Sequence, residues 1–125
     1  MGAEKKRTAL IADDTIFMRK MLSDIFGAHG IEVVAEAGNG KEAVELYEKH
    51  LPDFVTMDIA MPEMDGLRAL KGIKEIDPVA VVIMVSSMGF QEKVIEAIRL
   101  GAKNFIVKPF TEAKVMEVVN KSVPA

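Results

Sequence analysis

Asp58 closes the apolar run Phe54-Val55-Thr56-Met57, and the chain then breaks into the loop Ile59-Ala60-Met61-Pro62-Glu63-Met64-Asp65-Gly66. A short apolar run bounded by turn residues reads as a buried strand. A charge at its exit is costly unless it is paired or bound to metal. Asp58 is therefore either the polar end of a strand or a chemical site. Other apolar runs end in the same way. Thr8-Ala9-Leu10-Ile11-Ala12 stops at Asp13-Asp14, Val79 to Val85 stops at Ser86-Ser87, and Asn104 to Val107 stops at Lys108-Pro109. Carboxylates brought together repel and raise one another's pKa, a conflict that a divalent cation removes. Mg2+ takes hard oxygen ligands, typically one or two protein carboxylates with waters and a phosphate, and a backbone carbonyl of the Asp58 loop could add another. Lys108 and Ser86 suit a phosphate, one as a point charge and the other as a hydrogen-bond donor. A carboxylate beside a phosphate held in that way could attack it, giving an aspartyl-phosphate, in a reaction that depends on positioning and charge neutralisation.

Whether these residues meet depends on the elements that carry them. Phe17, Met21 and Ile25, with Met18, Leu22 and Phe26 beside them, mark one face of an amphipathic helix that Gly27 or Gly30 can end. Ile31 to Ala37 is a second strand, Gly38-Asn39-Gly40 a turn, and Ala43, Leu46, Tyr47 and Leu51 a second helix closed by Pro52. Phe54 to Met57 is the third strand. Asp65 suits the N-cap of a third helix through Leu67, Leu70 and Ile73, with Pro78 past its end. Val79 to Val85 is the fourth strand. Val94, Ala97 and Ile98 give a fourth helix that Gly101 stops, Asn104 to Val107 is the fifth strand, and Thr111 caps a last helix carrying Val115, Val118 and Val119. Strands alternating with helices imply an α/β fold with a parallel sheet covered on both faces. The first, fourth and fifth runs are continuously apolar, as strands buried on both faces should be. A parallel sheet puts every strand exit on one edge, and ligands bind outside the carboxyl ends of such strands where the strand order reverses. Taken singly, Lys108 is a solvated lysine and Ser86-Ser87 a strand terminus. Their joint placement with Asp13, Asp14 and Asp58 on different strand exits favours a site.

Composition bounds the rest. The 125 residues suit one domain, half of them are hydrophobic and 28% are charged, which excludes a disordered or membrane-spanning chain. A net charge of −3 gives no reason to expect nucleic acid. The absence of Cys excludes disulfides and thiolate metal sites and suits a cytoplasmic chain. With two His, a soft or borderline metal site is disfavoured. His29, after the first helix, and His50, at the end of the second, read as surface residues. The stretch Met1 to Arg7 is too polar for a signal peptide, and Lys6 stands where a myristoylation motif on Gly2 needs Ser or Thr. Nine Met read as adaptable core filler.

Asp13-Asp14, Asp58, the loop Met61-Pro62-Glu63-Met64-Asp65-Gly66, Ser86 and Lys108-Pro109-Phe110 together resemble the receiver domain of two-component response regulators, from about Thr8 to about Ser122. Phe17-Met18-Arg19, Thr56-Met57-Asp58, Ser87-Met88-Gly89 and Gly101 to Phe110 are similar to the single-domain chemotaxis regulators within that family. The resemblance implies a doubly wound (βα)5, flavodoxin-like three-layer sandwich with a parallel sheet of order 2-1-3-4-5, forming a single domain over residues 1–125. It implies that Asp58 accepts a phosphoryl group from a phosphohistidine on a CheA-like sensor histidine kinase. Asp14, Asp58 and the backbone carbonyl of Ala60 would hold Mg2+ (Mn2+ as a substitute), with Asp13 acting partly through water. Lys108 would bind the phosphate before a cis peptide to Pro109. Ser86 would be the switch hydroxyl and Phe105 the aromatic that turns inward, against the plainer reading of Phe105 as a half-buried strand residue.

Two residues depart from the commonest pattern of the family. Ser86 keeps the hydroxyl but lacks the methyl of Thr, and Ala60 offers no side chain to position or hinder a hydrolytic water. Phosphorylation would add nearly two negative charges and change a surface around Phe90 to Leu100, Phe105 and Val115 to Val119. The chain would then be a switch rather than an enzyme, limited to self-phosphorylation from a phosphodonor and slow autodephosphorylation. It would be a cytoplasmic monomer with a downstream protein target such as a flagellar motor switch, and would neither bind nucleic acid nor insert into a membrane. One alternative is the receiver of a longer regulator with a methylesterase or DNA-binding output. A second is a metal-dependent phosphatase with an aspartyl intermediate, against which Ala60 stands where such enzymes usually carry a second acid. A third is an interaction module that is never phosphorylated.

Overall fold

The computed structural model describes residues 6–124. Residues 1–5, including Gly2 and most of the polar N-terminal stretch, and Ala125 lie outside the described residues. The chain runs β1 (Thr8–Ala12), α1 (Ile16–Ala28), β2 (Glu32–Ala37), α2 (Gly40–His50), β3 (Phe54–Asp58), α3 (Gly66–Ile76), β4 (Val82–Ser87), α4 (Gln91–Arg99), β5 (Asn104–Lys108) and α5 (Glu112–Ser122). All strands pair in parallel, in the order β2-β1-β3-β4-β5. This is the doubly wound three-layer arrangement.

Alternation along the strands divides the core in two. Leu10, Val55, Met57 and Met84 face one way and meet α2, α3 and α4 through Tyr47, Leu70, Ile73 and Ala97. Ile11, Phe54, Ile83 and Ile106 face the other way and meet α1 and α5 through Leu22, Phe26, Val115 and Val119. Phe26 and Phe54 pack edge to face with ring centroids 5.4 Å apart, tying α1 to the central strand. Helix starts follow capping chemistry. Thr15, Asn39, Asp65 and Thr111 each accept a backbone N–H at the start of their helix, from Met18, Glu42, Arg68 and Lys114. Phe90 gives α4 no such bond.

Several expectations are corrected. Gly27 lies inside α1 and does not end it, while Gly30, with φ at +74°, completes the turn beyond. Phe17, in the first turn of α1, is 70% exposed; Leu22, Ile25 and Phe26 carry the buried face. Leu51 has left α2 and caps it in the left-handed region. The fourth strand begins at Val82, and Val79 is 83% exposed in the turn after α3. The fifth run is apolar but not buried on both faces. It forms an edge strand with Phe105 and Val107 exposed, having a neighbour only on the β4 side. Val115, Val118 and Val119 lie in the core and cannot belong to a partner surface.

Thr56 is fully buried on β3 between Ile11 and Ile83, and its hydroxyl has no hydrogen-bond partner among the described residues. Thr56→Val keeps the shape and removes the desolvated hydroxyl. It is expected to stabilise the fold by about 1 kcal/mol in urea unfolding, with m unchanged; a loss of stability would show that the hydroxyl is satisfied.

Candidate functional site

The carboxyl edge of the sheet collects the polar exits. Asp13 follows β1 directly, its N–H donating to the carbonyl of Ala37 at 3.0 Å, and is 1% exposed. Asp58 is the last residue of β3, paired with Val85, and is 6% exposed. Asp14 is exposed beside them. One oxygen from each of these three carboxylates lies within 4.8 Å of the others. Lys108, at the end of β5, reaches back past β4 so that its Nζ donates to Asp13 Oδ2 at 3.0 Å and Asp58 Oδ2 at 3.5 Å. The remaining oxygen of Asp13 accepts from the Thr15 N–H at 2.9 Å and the Thr15 hydroxyl at 3.0 Å.

One ammonium does not balance three acids. Burial, then the charge of Asp13, pushes Asp58 up to about 6, although Lys108 pulls the other way. Burial alone would lower Lys108, but its hydrogen bond to Asp13 and the charges of Asp58 and Asp13 outweigh that and hold it above its ordinary value. Asp58 is therefore an ionised, partly desolvated oxygen base at neutral pH beside a firmly charged ammonium. The donor set is all oxygen and the excess charge negative, which fits a hard divalent cation.

The loop after Asp58 is held at both ends. Ile59 donates to Val85 O at 3.1 Å, Gly66 donates to Ile59 O at 2.8 Å, and Gly40 donates to Met64 O at 2.9 Å. A Cβ at Gly66 would run into the carbonyl oxygen of Asp58, and one at Gly40 into that of Met64. The helix starts of α2 and α3 thus press on the loop, and only glycine permits the approach. Glu63 sits within it at φ +64°, a conformation uncommon outside glycine.

Asp13, Asp14, Asp58 and Lys108 are brought together. Ala60 is exposed in the bend after β3. Ser86 is 2% exposed near the end of β4, next to the strand that carries Asp58, and lines a groove of about 640 Å³ between α4 and β5. Phe105, 40% exposed, lies in the same groove with Val94, Ile95, Ile98 and Val107. The peptide from Lys108 to Pro109 is cis. His29 pairs with Glu112 at 2.7 Å on the surface and His50 is exposed at the end of α2. Sequence reasoning missed Thr15, Gly40 and the packing role of Gly66. It also missed Arg19, whose Nη1 donates to Asp13 O at 2.7 Å and whose Nε donates to Glu36 Oε1 at 3.2 Å. The capping position of Thr15 was the available signal; Gly40 reads only as a turn residue and Arg19 only as part of a stretch similar to the family, and nothing local marks their contacts.

Comparisons with known proteins give the family and the fold. The model of the response regulator receiver domain matches residues 9–120. The chain is 60% identical over 114 residues to the chemotaxis protein CheY of Bacillus subtilis (strain 168), covering 91% of this chain and 95% of that one. It is 56% identical over 115 residues to the chemotaxis protein CheY of Thermotoga maritima, covering 92% and 96%. Among solved structures it is similar to one described as the CheX-CheY-BeF3-Mg+2 complex from Borrelia burgdorferi, with a TM-score of 0.89, 43% identity, and coverage of 92% of this chain and 87% of that one.

Two predictions follow from the packing and charge of the edge. Gly66→Ala is expected to cost more than about 2 kcal/mol in urea unfolding, since backbone must move on both sides; a neutral result would mean that the loop yields freely. The raised pKa of Asp58 means that its ionisation opposes folding, a cost absent below about pH 4 and complete above about pH 6. In chelator-treated buffer, Asp58→Asn should therefore raise Tm by several degrees at pH 7.5 and by little at pH 4, read by circular dichroism. An equal change at both pH values would remove the electrostatic explanation.

Proposed function

The chain belongs to the response regulator receiver family, and on that premise we propose that it is a chemotaxis-type signalling switch whose phosphoacceptor is Asp58. The observation that carries this reading is the buried Asp58 carboxylate at the carboxyl edge of the sheet, between two further acids and the ammonium of Lys108. The donor is a phosphohistidine of a CheA-like sensor histidine kinase. An Asp58 oxygen forms a bond to phosphorus as the phosphorus–nitrogen bond breaks, and the imidazole leaves with the bonding pair. The product is an aspartyl-phosphate.

Lys108 holds the phosphoryl oxygens and neutralises part of their charge, giving up its contact with Asp58. Asp13, Asp14, Asp58 and the Ala60 carbonyl would hold Mg2+, for which Mn2+ could substitute; Mg2+ is also named with the Borrelia burgdorferi neighbour. When bound, that cation neutralises the three acids and the charge on the transferring group. Asp13, already fixed by Thr15, keeps Lys108 in place throughout. The residues supply no separate acid to activate water at Ala60, so the chain acts as a switch with slow autodephosphorylation rather than as a turnover enzyme.

The added charge draws the Ser86 hydroxyl from the head of the α4–β5 groove toward Asp58. Phe105 then has room to move inward, because the groove beside it holds about 640 Å³ of open volume. The surface that changes is α4 with the exposed edge of β5. A downstream protein, such as a flagellar motor switch, reads it. We take residues 1–125 as one cytoplasmic, monomeric receiver domain. Among the described residues no helix is long and apolar enough to cross a membrane.

Incubation with radiolabelled acetyl phosphate and Mg2+ is expected to label the wild type and not Asp58→Asn, with chelation abolishing the signal. Label on Asp58→Asn at wild-type stoichiometry would overturn the assignment.

A further inference from the structure

The three acids of the cluster are not held equally. Asp13 is bonded at both carboxylate oxygens, by Thr15 and by Lys108, and Asp58 accepts from Lys108. Asp14 is exposed, and its carboxylate has no hydrogen-bond partner among the described residues. Its position is therefore set by its backbone. The peptide that joins Asp13 to Asp14 has its carbonyl on Arg19 Nη1 at 2.7 Å. Through Nε the same guanidinium reaches Glu36 Oε1 at 3.2 Å, at the end of β2. The Arg19 side chain is only 18% exposed, and its bond to the Asp13 carbonyl is partly shielded from water, whereas the bond to Glu36 is exposed. Arg19 sits in the first turns of α1, where its own N–H donates to Thr15 O at 3.2 Å, and Thr15 in turn holds Asp13.

We propose that Arg19 is a positioning residue for Asp14. By fixing the orientation of the Asp13–Asp14 peptide it holds the Asp14 carboxylate in range of Asp58 and sets the divalent-cation affinity of the cluster. The proposal rests on reading the three acids as a cation site. Arginine suits the task because its planar fork presents separate donors to a carbonyl and a carboxylate in fixed geometry; a lysine ammonium has no such fork. A purely structural alternative exists, in which Arg19 and Glu36 only tie α1 to β2. The two differ in coupling. A residue that acts through Asp14 loses its influence on cation binding once the Asp14 carboxylate is gone, whereas a structural tie does not.

The test is calorimetric titration of Mg2+ alone into the wild type, Arg19→Lys, Arg19→Gln, Asp14→Asn and the Arg19→Gln/Asp14→Asn double variant, with thermal unfolding run in parallel. Loss of a group that orients a ligand typically costs tenfold or more, so both Arg19 variants should bind Mg2+ about tenfold more weakly. In the Asp14→Asn background the further loss should be about twofold or less. If Arg19→Gln melts below the assay temperature, Glu36→Gln takes its place. It frees one prong of the fork and should weaken Mg2+ about threefold, again only when Asp14 is present. Wild-type affinity in folded Arg19 variants, or equal losses with and without Asp14, overturns the proposal. A wild type that binds no Mg2+ removes the cation-site reading and the proposal with it.

Discussion

Three carboxylates meet one ammonium at the carboxyl edge of the sheet, and the behaviour of the molecule follows from that imbalance. A parallel sheet delivers the ends of β1, β3, β4 and β5 to the same side, so apolar runs buried for stability necessarily project their terminal residues together. Burial and the neighbouring charges then raise Asp58 to about 6. The edge carries an excess of negative charge that a hard divalent cation would offset. Lys108 is shared between Asp13 and Asp58 at unequal distances, 3.0 and 3.5 Å. The longer, weaker contact is the one on Asp58, so Asp13 is the firmer anchor of the ammonium.

Most of the architecture is legible in the sequence because the strands are buried and helical faces repeat. Leu10, Ile11, Val55, Met57, Ile83 and Met84 are all fully buried, and their runs announce a sheet covered on both sides. Polar exits from such runs are conspicuous, which is why Asp13, Asp58 and Lys108 could be named before any coordinates. Errors collect where apolar character and burial part company. Val79 is β-branched and next to a strand, yet it serves a turn. The apolar fifth run reads as buried on both faces, yet the edge position of β5 leaves Phe105 and Val107 exposed. Neither local pattern contains the information that a neighbour is missing.

The site's support was harder to read for a different reason. Gly40 and Gly66 matter through what approaches them, the carbonyls of Met64 and Asp58, and no property of a glycine in a one-dimensional string says which backbone lies against it. Arg19 looks like one of many surface cations on an amphipathic helix. Only the turn after β1, six residues before it, and the end of β2, 17 residues after it, give it two partners. Residues that do chemistry are visible by type and placement; residues that hold them are visible by contact.

The corrected burial of α5 also narrows how a signal can leave the acid cluster. Val115, Val118 and Val119 are packed into the core with Ile83 and Ile106, so α5 cannot present them to a partner without losing that packing. The exposed apolar surface lies elsewhere. The α4 N-terminus has no side-chain cap, Phe90, Ile95 and Ile98 are exposed, and Phe105 is in open contact with the groove they share. Ser86 connects that groove to Asp58, because it lies on the strand adjacent to Asp58 and one residue beyond Asp58's partner Val85. Asp58 is therefore close, through β4, to exposed apolar surface, whereas the apolar face of α5 is packed into the core.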